Sequence, residues 1–375
     1  MTALEYYENI ASEMNNPGIQ AWKQAGNRVV GITCSNIPEE VIFAAGILPL
    51  RLRAPGIMES GMADSHLYRI NCTYTRFVLE YLLQGKYDFL DGVVATNTCD
   101  HHLRLAGELE DKSTLPFYHY FQMYHTLTDG AREWLIQEMK NLIASIELSF
   151  GVTITEHDLR HAISVYNRTR RLLARVNDLR KKDPPAVSGA EYMQIVLTGM
   201  STPRELFNER LEKLLPELET RQNGGAGQPR LFIMGGACDS TGFIEFIESK
   251  GASVVADGLC FGLRHWQGQV DEDAEDPLAA IADRYLNRVP CPSIIDGFDH
   301  GYPLIQEIIK DWHVQGVVSA RLKFCDHWAG GRQMLKQALQ EDDVVPLLDL
   351  EREYGTTESG QISTRIQAFL EMVNR

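Results

Sequence analysis

Two stretches of this chain close on the same three residues. Asp91-Gly92-Val93-Val94-Ala95-Thr96-Asn97-Thr98-Cys99-Asp100-His101 is a β-branched run, a short polar segment, and then Cys-Asp-His where a helix can begin. Gly316-Val317-Val318-Ser319-Ala320-Arg321-Leu322-Lys323-Phe324-Cys325-Asp326-His327 says nearly the same thing again. A thiol at a strand-to-helix turn meets backbone N–H groups and a helix N-terminus, which favour its thiolate and suit it to bind iron or zinc. The bland alternative for any one of the seven cysteines is a small buried hydrophobe. The case for chemistry therefore rests on placement.

Spacing narrows that chemistry. The chain contains no Cys-x-x-Cys, which disfavours a zinc ribbon, a ferredoxin-type cluster and a thioredoxin-type pair. A site built from Cys72, Cys99 and Cys325 would instead gather its ligands from distant segments, as a cleft between two domains allows. Three thiolates on a [4Fe–4S] cluster would leave one iron open to a non-protein ligand. His101, His102, His265, His300 and His327 are candidate proton donors, and Trp266 and Trp328 could shield such a site.

The elements that must position these residues also repeat. Arg28 to Ile32 is a β-branched strand signal followed by Cys34, a helix opened by Pro38 with Glu39 and Glu40 in its first turn, Gly46, and a strand near Leu48 to Leu52. Leu231 to Met234, Cys238, an apolar helix, Gly251 and Ala252 to Ala256 follow the same plan. In this register Cys34, Cys72 and Cys99 correspond to Cys238, Cys291 and Cys325, with Cys260 left over. Strands alternating with helices, with Gly-rich turns after the strands, predict an α/β chain of two doubly wound parallel sheets produced by internal duplication. Ligands of such folds bind beyond the carboxyl ends of the strands.

Between the halves the pattern turns helical. Leu135, Met139, Leu142, Ile146 and Phe150 share one helix face, and Leu159, Ile163, Tyr166, Leu173 and Val176 another. Thr202-Pro203-Arg204-Glu205 reads as an N-cap with a capping-box glutamate. Thr220 to Pro229 reads as a linker. The expected organisation is an N-terminal α/β domain over 1–222, with a helical extension at about 130–220, and a C-terminal α/β domain over 228–375.

Composition excludes several classes. The chain has 375 residues, 44% of them apolar and 23% charged, which are the proportions of a soluble globular protein. Against 51 Asp and Glu stand 36 Lys and Arg, a net charge of −15, so nucleic acid is not an expected partner. The N-terminus has neither a basic start nor an apolar stretch, and no run approaches the roughly 18 apolar residues of a membrane span. A cytoplasmic location with reduced cysteines is expected. The turn Met234 to Gly242 lacks the Gly-Lys-Ser/Thr ending of a phosphate loop and reads as a close-packing turn, so this chain is not expected to bind ATP. The basic run Arg168, Arg170, Arg171, Arg175, Arg180, Lys181 and Lys182 reads as a solvated helix face, or else as a docking patch for a partner or coenzyme A phosphates. The aromatic run Phe117 to His125 reads as a core strand that could also line a substrate pocket.

The stretch Ile32-Thr33-Cys34-Ser35-Asn36-Ile37-Pro38-Glu39-Glu40-Val41-Ile42-Phe43-Ala44-Ala45-Gly46-Ile47-Leu48-Pro49 resembles the opening motif of the 2-hydroxyacyl-CoA dehydratase and benzoyl-CoA reductase family. Lys323-Phe324-Cys325-Asp326 and the ending Gly360 to Met372 resemble it too. Length and the Thr98-Cys99-Asp100-His101 wording are most similar to the smaller, C-type, substrate-reducing subunit of an ATP-dependent benzoyl-CoA reductase. The resemblance implies an iron–sulfur oxidoreductase subunit of anaerobic aromatic degradation. It would hold a [4Fe–4S] cluster on Cys72, Cys99 and Cys325, with Cys34 joining the set if the chain follows the family's double-cubane proteins. Ser35, Asn36 and Glu40 of the opening motif are the substrate-binding candidates, and His101 and His327 the proton donors. The implied partners are a larger homologous catalytic subunit, a separate ATP-hydrolysing iron–sulfur activator and an acyl-CoA substrate. A radical 2-hydroxyacyl-CoA dehydratase subunit, a lyase, is the alternative enzyme. A non-catalytic electron relay is the alternative of another class, and a fourth cysteine nearby, such as Cys34 or Cys260, would favour it.

Overall fold

The computed structural model describes residues 3–222, 225–355 and 359–374. Its frame is two four-stranded sheets with every strand parallel to its neighbours. The first contains β1 (Arg28–Ile32), β2 (Ile47–Arg51), β3 (Gly92–Thr96) and β4 (Tyr118–Phe121), in the order β2-β1-β3-β4. The second contains β5 (Arg230–Gly235), β6 (Ser253–Gly258), β7 (Gly316–Leu322) and β8 (Leu347–Arg352), in the order β6-β5-β7-β8. The two orders are the same, as expected of a duplicated unit. In each sheet the chain reverses its direction of winding between the first and third strands, the switch point beyond which ligands bind in such folds.

Burial explains why these runs are strands. β2, β3, β5 and β6 are buried along their whole length, as parallel strands covered by helices on both faces must be, and their residues are largely apolar on both sides. At the end of β5 the Gly-rich turn is a close-packing turn. A Cβ on Gly235 would overlap the carbonyl oxygen of Ala320 in β7, and one on Gly236 would stand 3.1 Å from the Trp328 ring.

The segment between the sheets holds the helices Asp129–Phe150, Glu156–Asp178, Gly189–Met200 and Arg204–Thr220. Leu135, Met139, Leu142 and Ile146 are buried on one face of the first, and Leu159, Ile163, Tyr166, Leu173 and Val176 on one face of the second. Gly189–Met200 packs on β2 of one sheet and β6 of the other, so one continuous apolar core runs through both halves. Its capping box is Ser188 with Glu191; that of Glu156–Asp178 is Thr155 with Asp158. The box expected at Thr202 does not form. Thr202 is wholly buried, Pro203 takes the cap position without a side-chain bond, and Glu205 turns toward His161 at 3.7 Å.

The basic run divides in two. Arg168, Arg171 and Arg175 are half-exposed and pair with Glu212, Glu272 and Glu219. Arg170 and Arg180 are instead buried and pair with Glu40 and Asp257, so the run is not a solvated face throughout. Among the described residues no helix is long and apolar enough to cross a membrane.

Substituting Gly235→Ala should lower stability by about 1–3 kcal/mol, because neither β5 nor the β7 backbone can retreat without breaking the ladder. Gly107→Ala, where a Cβ meets nothing within 4 Å, should be neutral or stabilising by up to about 1 kcal/mol. Thermal unfolding midpoints of the two variants check this pair, and equal midpoints would contradict the packing.

Candidate functional site

The carboxyl ends of both sheets face one cavity, which encloses about 800 Å³ of empty space with its mouth included. Six of the seven cysteines line it: Cys34, Cys72 and Cys99 from the first half, and Cys260, Cys291 and Cys325 from the second. Cys34 follows β1 and Cys260 follows β6. Cys72, Cys99 and Cys325 are the N-cap residues of the helices Thr73–Leu83, Asp100–Lys112 and Asp326–Glu341. Phe324, just before Cys325, is held at φ +66°, a left-handed conformation uncommon for a bulky residue. Cys238, matched to Cys34 by the repeat, is fully buried and does not line the cavity. Cys260 takes that place instead, because β6 lies beside β5 and its end opens on the same rim.

Three arginines complete the lining: Arg51, Arg264 and Arg288, each no more than 4% exposed. Among the described residues no Asp or Glu lines the cavity. Arg51 donates to the Ile32 and Thr33 carbonyls and to the Tyr74 hydroxyl at 2.6 Å, leaving its Nε without a partner. Arg264 donates one bond, to the Gly235 carbonyl at 2.7 Å, and its Nε and second terminal nitrogen have none among the described residues. Arg288 bonds the Arg264 carbonyl at 2.7 Å and the Asn36 side-chain oxygen. Buried donors left unpaired call for an acceptor, and buried cations for an anion. In a chain of net charge −15 this cavity is cationic.

The thiols feel the same environment. Burial, then the neighbouring charge of Cys72, pushes Cys99 far above the usual thiol range and Cys325 up to about 12. Burial raises Cys72, and raises Cys260 to about 11 although Arg264 and Arg51 oppose it. Protonated thiols are therefore the resting state at neutral pH unless a metal replaces their protons. Among the described residues no three of His, Cys, Asp and Glu stand close enough to hold a single metal ion, which needs every thiolate about 2.3 Å from one point. A cluster takes its thiolates on different irons, so they stand further apart. Thiolate-ligated iron and sulfide carry net negative charge, which the unpartnered guanidinium groups would meet. The donor set thus fits an iron–sulfur cluster better than a lone ion.

The remaining sequence candidates separate. Ser35 lines the cavity and donates to the Cys260 carbonyl at 2.7 Å, tying the halves together at the rim. Asn36 lines it and holds Arg288. His101 and His327 line it as well; burial lowers the pKa of both, so each ring is neutral near pH 7. The Cys72 N–H donates to His101 Nδ1 at 3.2 Å, which leaves that ring's proton on Nε2. Glu40 does not line the cavity. It is fully buried against Arg170 and the Tyr285 hydroxyl; burial alone would raise its pKa, but Arg170 and Arg284 outweigh it and hold the carboxyl down to about 2. Arg264 and Arg288 carry no sequence signal, whereas Arg51, as the last residue of β2, sits where such folds bind ligands.

In metal-free protein at pH 8, Cys99, Cys260 and Cys325 should alkylate far more slowly than in the urea-unfolded chain, where thiols titrate near pH 8.5. Peptide mass spectrometry after timed iodoacetamide treatment checks this; equal rates would contradict the buried cavity. Glu40→Gln should destabilise the fold by several kcal/mol, about 3–5 on precedent for one buried partner lost. Its depressed carboxyl contributes stability above the ordinary value of 4.5, and that contribution is lost as pH falls from there through about 2. Unfolding midpoints that match the wild type at pH 7 would contradict this role.

Comparison with known proteins follows the same line. The putative dehydratase subunit YjiM of Escherichia coli (strain K12) is 29% identical over 372 residues, covering 94% of this chain and 93% of that protein. The (R)-phenyllactyl-CoA dehydratase beta subunit of Clostridium sporogenes is 23% identical over 373 residues, 98% of each chain. The C-type subunit of the benzoyl-CoA reductase of Thauera aromatica is 26% identical over 346 residues, 90% of this chain and 89% of that one. Residues 34–373 match the family described as 2-hydroxyglutaryl-CoA dehydratase, D-component, a span that takes in both sheets and all seven cysteines, and the chain belongs to that family.

Proposed function

We propose that the cysteine cavity holds an iron–sulfur cluster, and that the chain passes low-potential electrons singly to an acyl-CoA as the C-type subunit of a benzoyl-CoA reductase. One observation carries the reading: six thiols from both halves and three buried arginines line a single cavity without a carboxylate among the described residues. Cys72, Cys99 and Cys325 would be the ligands, each at a helix N-terminus that favours its thiolate. When bound, the cluster supplies reversible one-electron transfer at low potential.

The chain's own residues would do the rest. The apolar surroundings keep water from a strong reductant. Arg51, Arg264 and Arg288 balance negative charge without titrating near neutral pH. His101, with its proton on Nε2, and His327 stand where protons are needed. Ring reduction adds two electrons and two protons to a ring conjugated with the thioester, whose carbonyl spreads the added charge. The electrons would come from a separate ATP-hydrolysing iron–sulfur activator through a larger homologous subunit, in an anoxic cytoplasm. The alignment with a benzoyl-CoA reductase subunit over most of both chains supports this assignment.

Two observations favour a second reading each. Relatives named as dehydratase subunits align as fully; there the same electron would be returned after water leaves a 2-hydroxyacyl-CoA. Cys34, Cys260 and Cys291 beside the three proposed ligands would also accommodate a larger cluster, or a fully ligated one that only relays electrons.

An anaerobic assay with partner subunit and activator should consume benzoyl-CoA with stoichiometric reductant. Turnover of a 2-hydroxyacyl-CoA alone, with catalytic reductant, would overturn the reductase reading in favour of the lyase. Iron analysis should give about four irons per chain. Cys99→Ser and Cys325→Ser should lose them while Cys260→Ser keeps them; about twice that iron, lost also in Cys260→Ser, would move the assignment to the larger cluster.

A further inference from the structure

A second cavity lies against the first. It encloses about 840 Å³ of empty space with its mouth included, within the range of about 300–1,000 Å³ typical of small-molecule sites. Its lining comes from the helices Gly297–Asp311 and Asp326–Glu341 and from the Pro290-Cys291-Pro292 turn between them. Glycines let that turn seat closely on both helices. A Cβ on Gly301 would stand 2.7 Å from Pro290, and one on Gly331 would stand 2.8 Å from Pro292. Gly330 differs: a Cβ there meets nothing within 4 Å, so this part of the helix borders open cavity.

The two cavities share Val289, Cys291, His327 and Trp328, so they have a common wall. Their chemistry is opposite. Three arginines line the first, whereas among the described residues no Lys or Arg lines the second, and its one carboxylate is Asp326. Ile294, Phe298, Ile305, Met334 and Leu335 make its surface apolar, and Phe298 stacks on Tyr302 with ring centroids 5.5 Å apart.

We infer that this second cavity seats the uncharged, ring-sized acyl end of the molecule that receives the electrons, with the polar remainder outside. The inference deepens the function proposed above and rests on it. A neutral ring is stabilised by the apolar area it buries. A terminal carboxylate seated here would find no cation and would face Asp326, so dicarboxylic acyl groups are rejected. The shared wall brings the seated group next to the cysteine cavity without admitting it to the arginines.

The test uses the iron-loaded full chain, purified anaerobically, with calorimetric titration of benzoyl-CoA, glutaryl-CoA and free CoA. Electron paramagnetic resonance of the reduced protein gives a second readout. Benzoyl-CoA should bind about tenfold or more tighter than glutaryl-CoA and should perturb the resonance signal. Gly330→Leu fills the open space on the helix and should weaken benzoyl-CoA about tenfold or more, leaving iron content unchanged. Met334→Lys, at the half-exposed mouth, places a cation in the cavity and should shift the preference toward glutaryl-CoA. Benzoyl-CoA affinity unaltered in Gly330→Leu, or an unaltered preference in Met334→Lys, would overturn the inference while leaving the cluster reading intact. A wild-type chain that takes up no iron overturns the function proposed above instead.

Discussion

The burial of positive charge governs this structure. Arg51, Arg264 and Arg288 sit almost without solvent around one cavity, and Arg51 and Arg264 retain N–H groups that no described residue accepts. Leaving a buried donor unpaired costs about 1–3 kcal/mol, and more for a charged one. A fold keeps such groups when something other than its own carboxylates answers them. Six thiols in the same lining supply that answer once they are deprotonated on a metal cluster, since the arginines and the thiolates then neutralise one another. Each set is costly alone, the guanidinium groups for want of an acceptor and the thiols for the burial that holds them protonated.

The cavity can exist only if two sheets keep their carboxyl ends together, and the segment between them fixes that arrangement. Gly189–Met200 packs on both sheets, and buried ion pairs link the parts: Arg204 with Glu39, Arg170 with Glu40, Arg180 with Asp257, and Arg53 with Asp239. Removing one member of such a pair leaves a buried charge uncompensated. Glu39 and Glu40 therefore belong to the frame, one helical turn from Ser35 and Asn36, which belong to the site. One short motif is thus divided between holding the halves and lining the cavity between them.

Much of this was legible in the residues because it depends on local pattern. β-branched runs, Gly stops and the repeated Cys-Asp-His marked the strands, their carboxyl ends and the duplication, and the strand orders agree with it. What escaped depends on neighbours in space. The repeat paired Cys34 with Cys238, but pairing of β6 with β5 brings Cys260 to the rim and leaves Cys238 in the core. Arg264 and Arg288 lie in short or irregular segments where nothing distinguishes a cavity-facing arginine from a solvated one. The capping signal at Thr202 was overridden by burial, as tertiary packing routinely overrides local preference. The apolar second cavity has no linear signature, because its walls come from two helices and a turn that meet only when folded.

The central claim is that the cysteine cavity is built around iron. Anomalous diffraction at the iron absorption edge, from crystals of anaerobically purified protein, addresses it without recourse to activity. The account predicts anomalous density within the cavity, in contact with Cys72, Cys99 and Cys325. Iron-free crystals from iron-replete anoxic preparations, or iron bound only elsewhere on the chain, would contradict it.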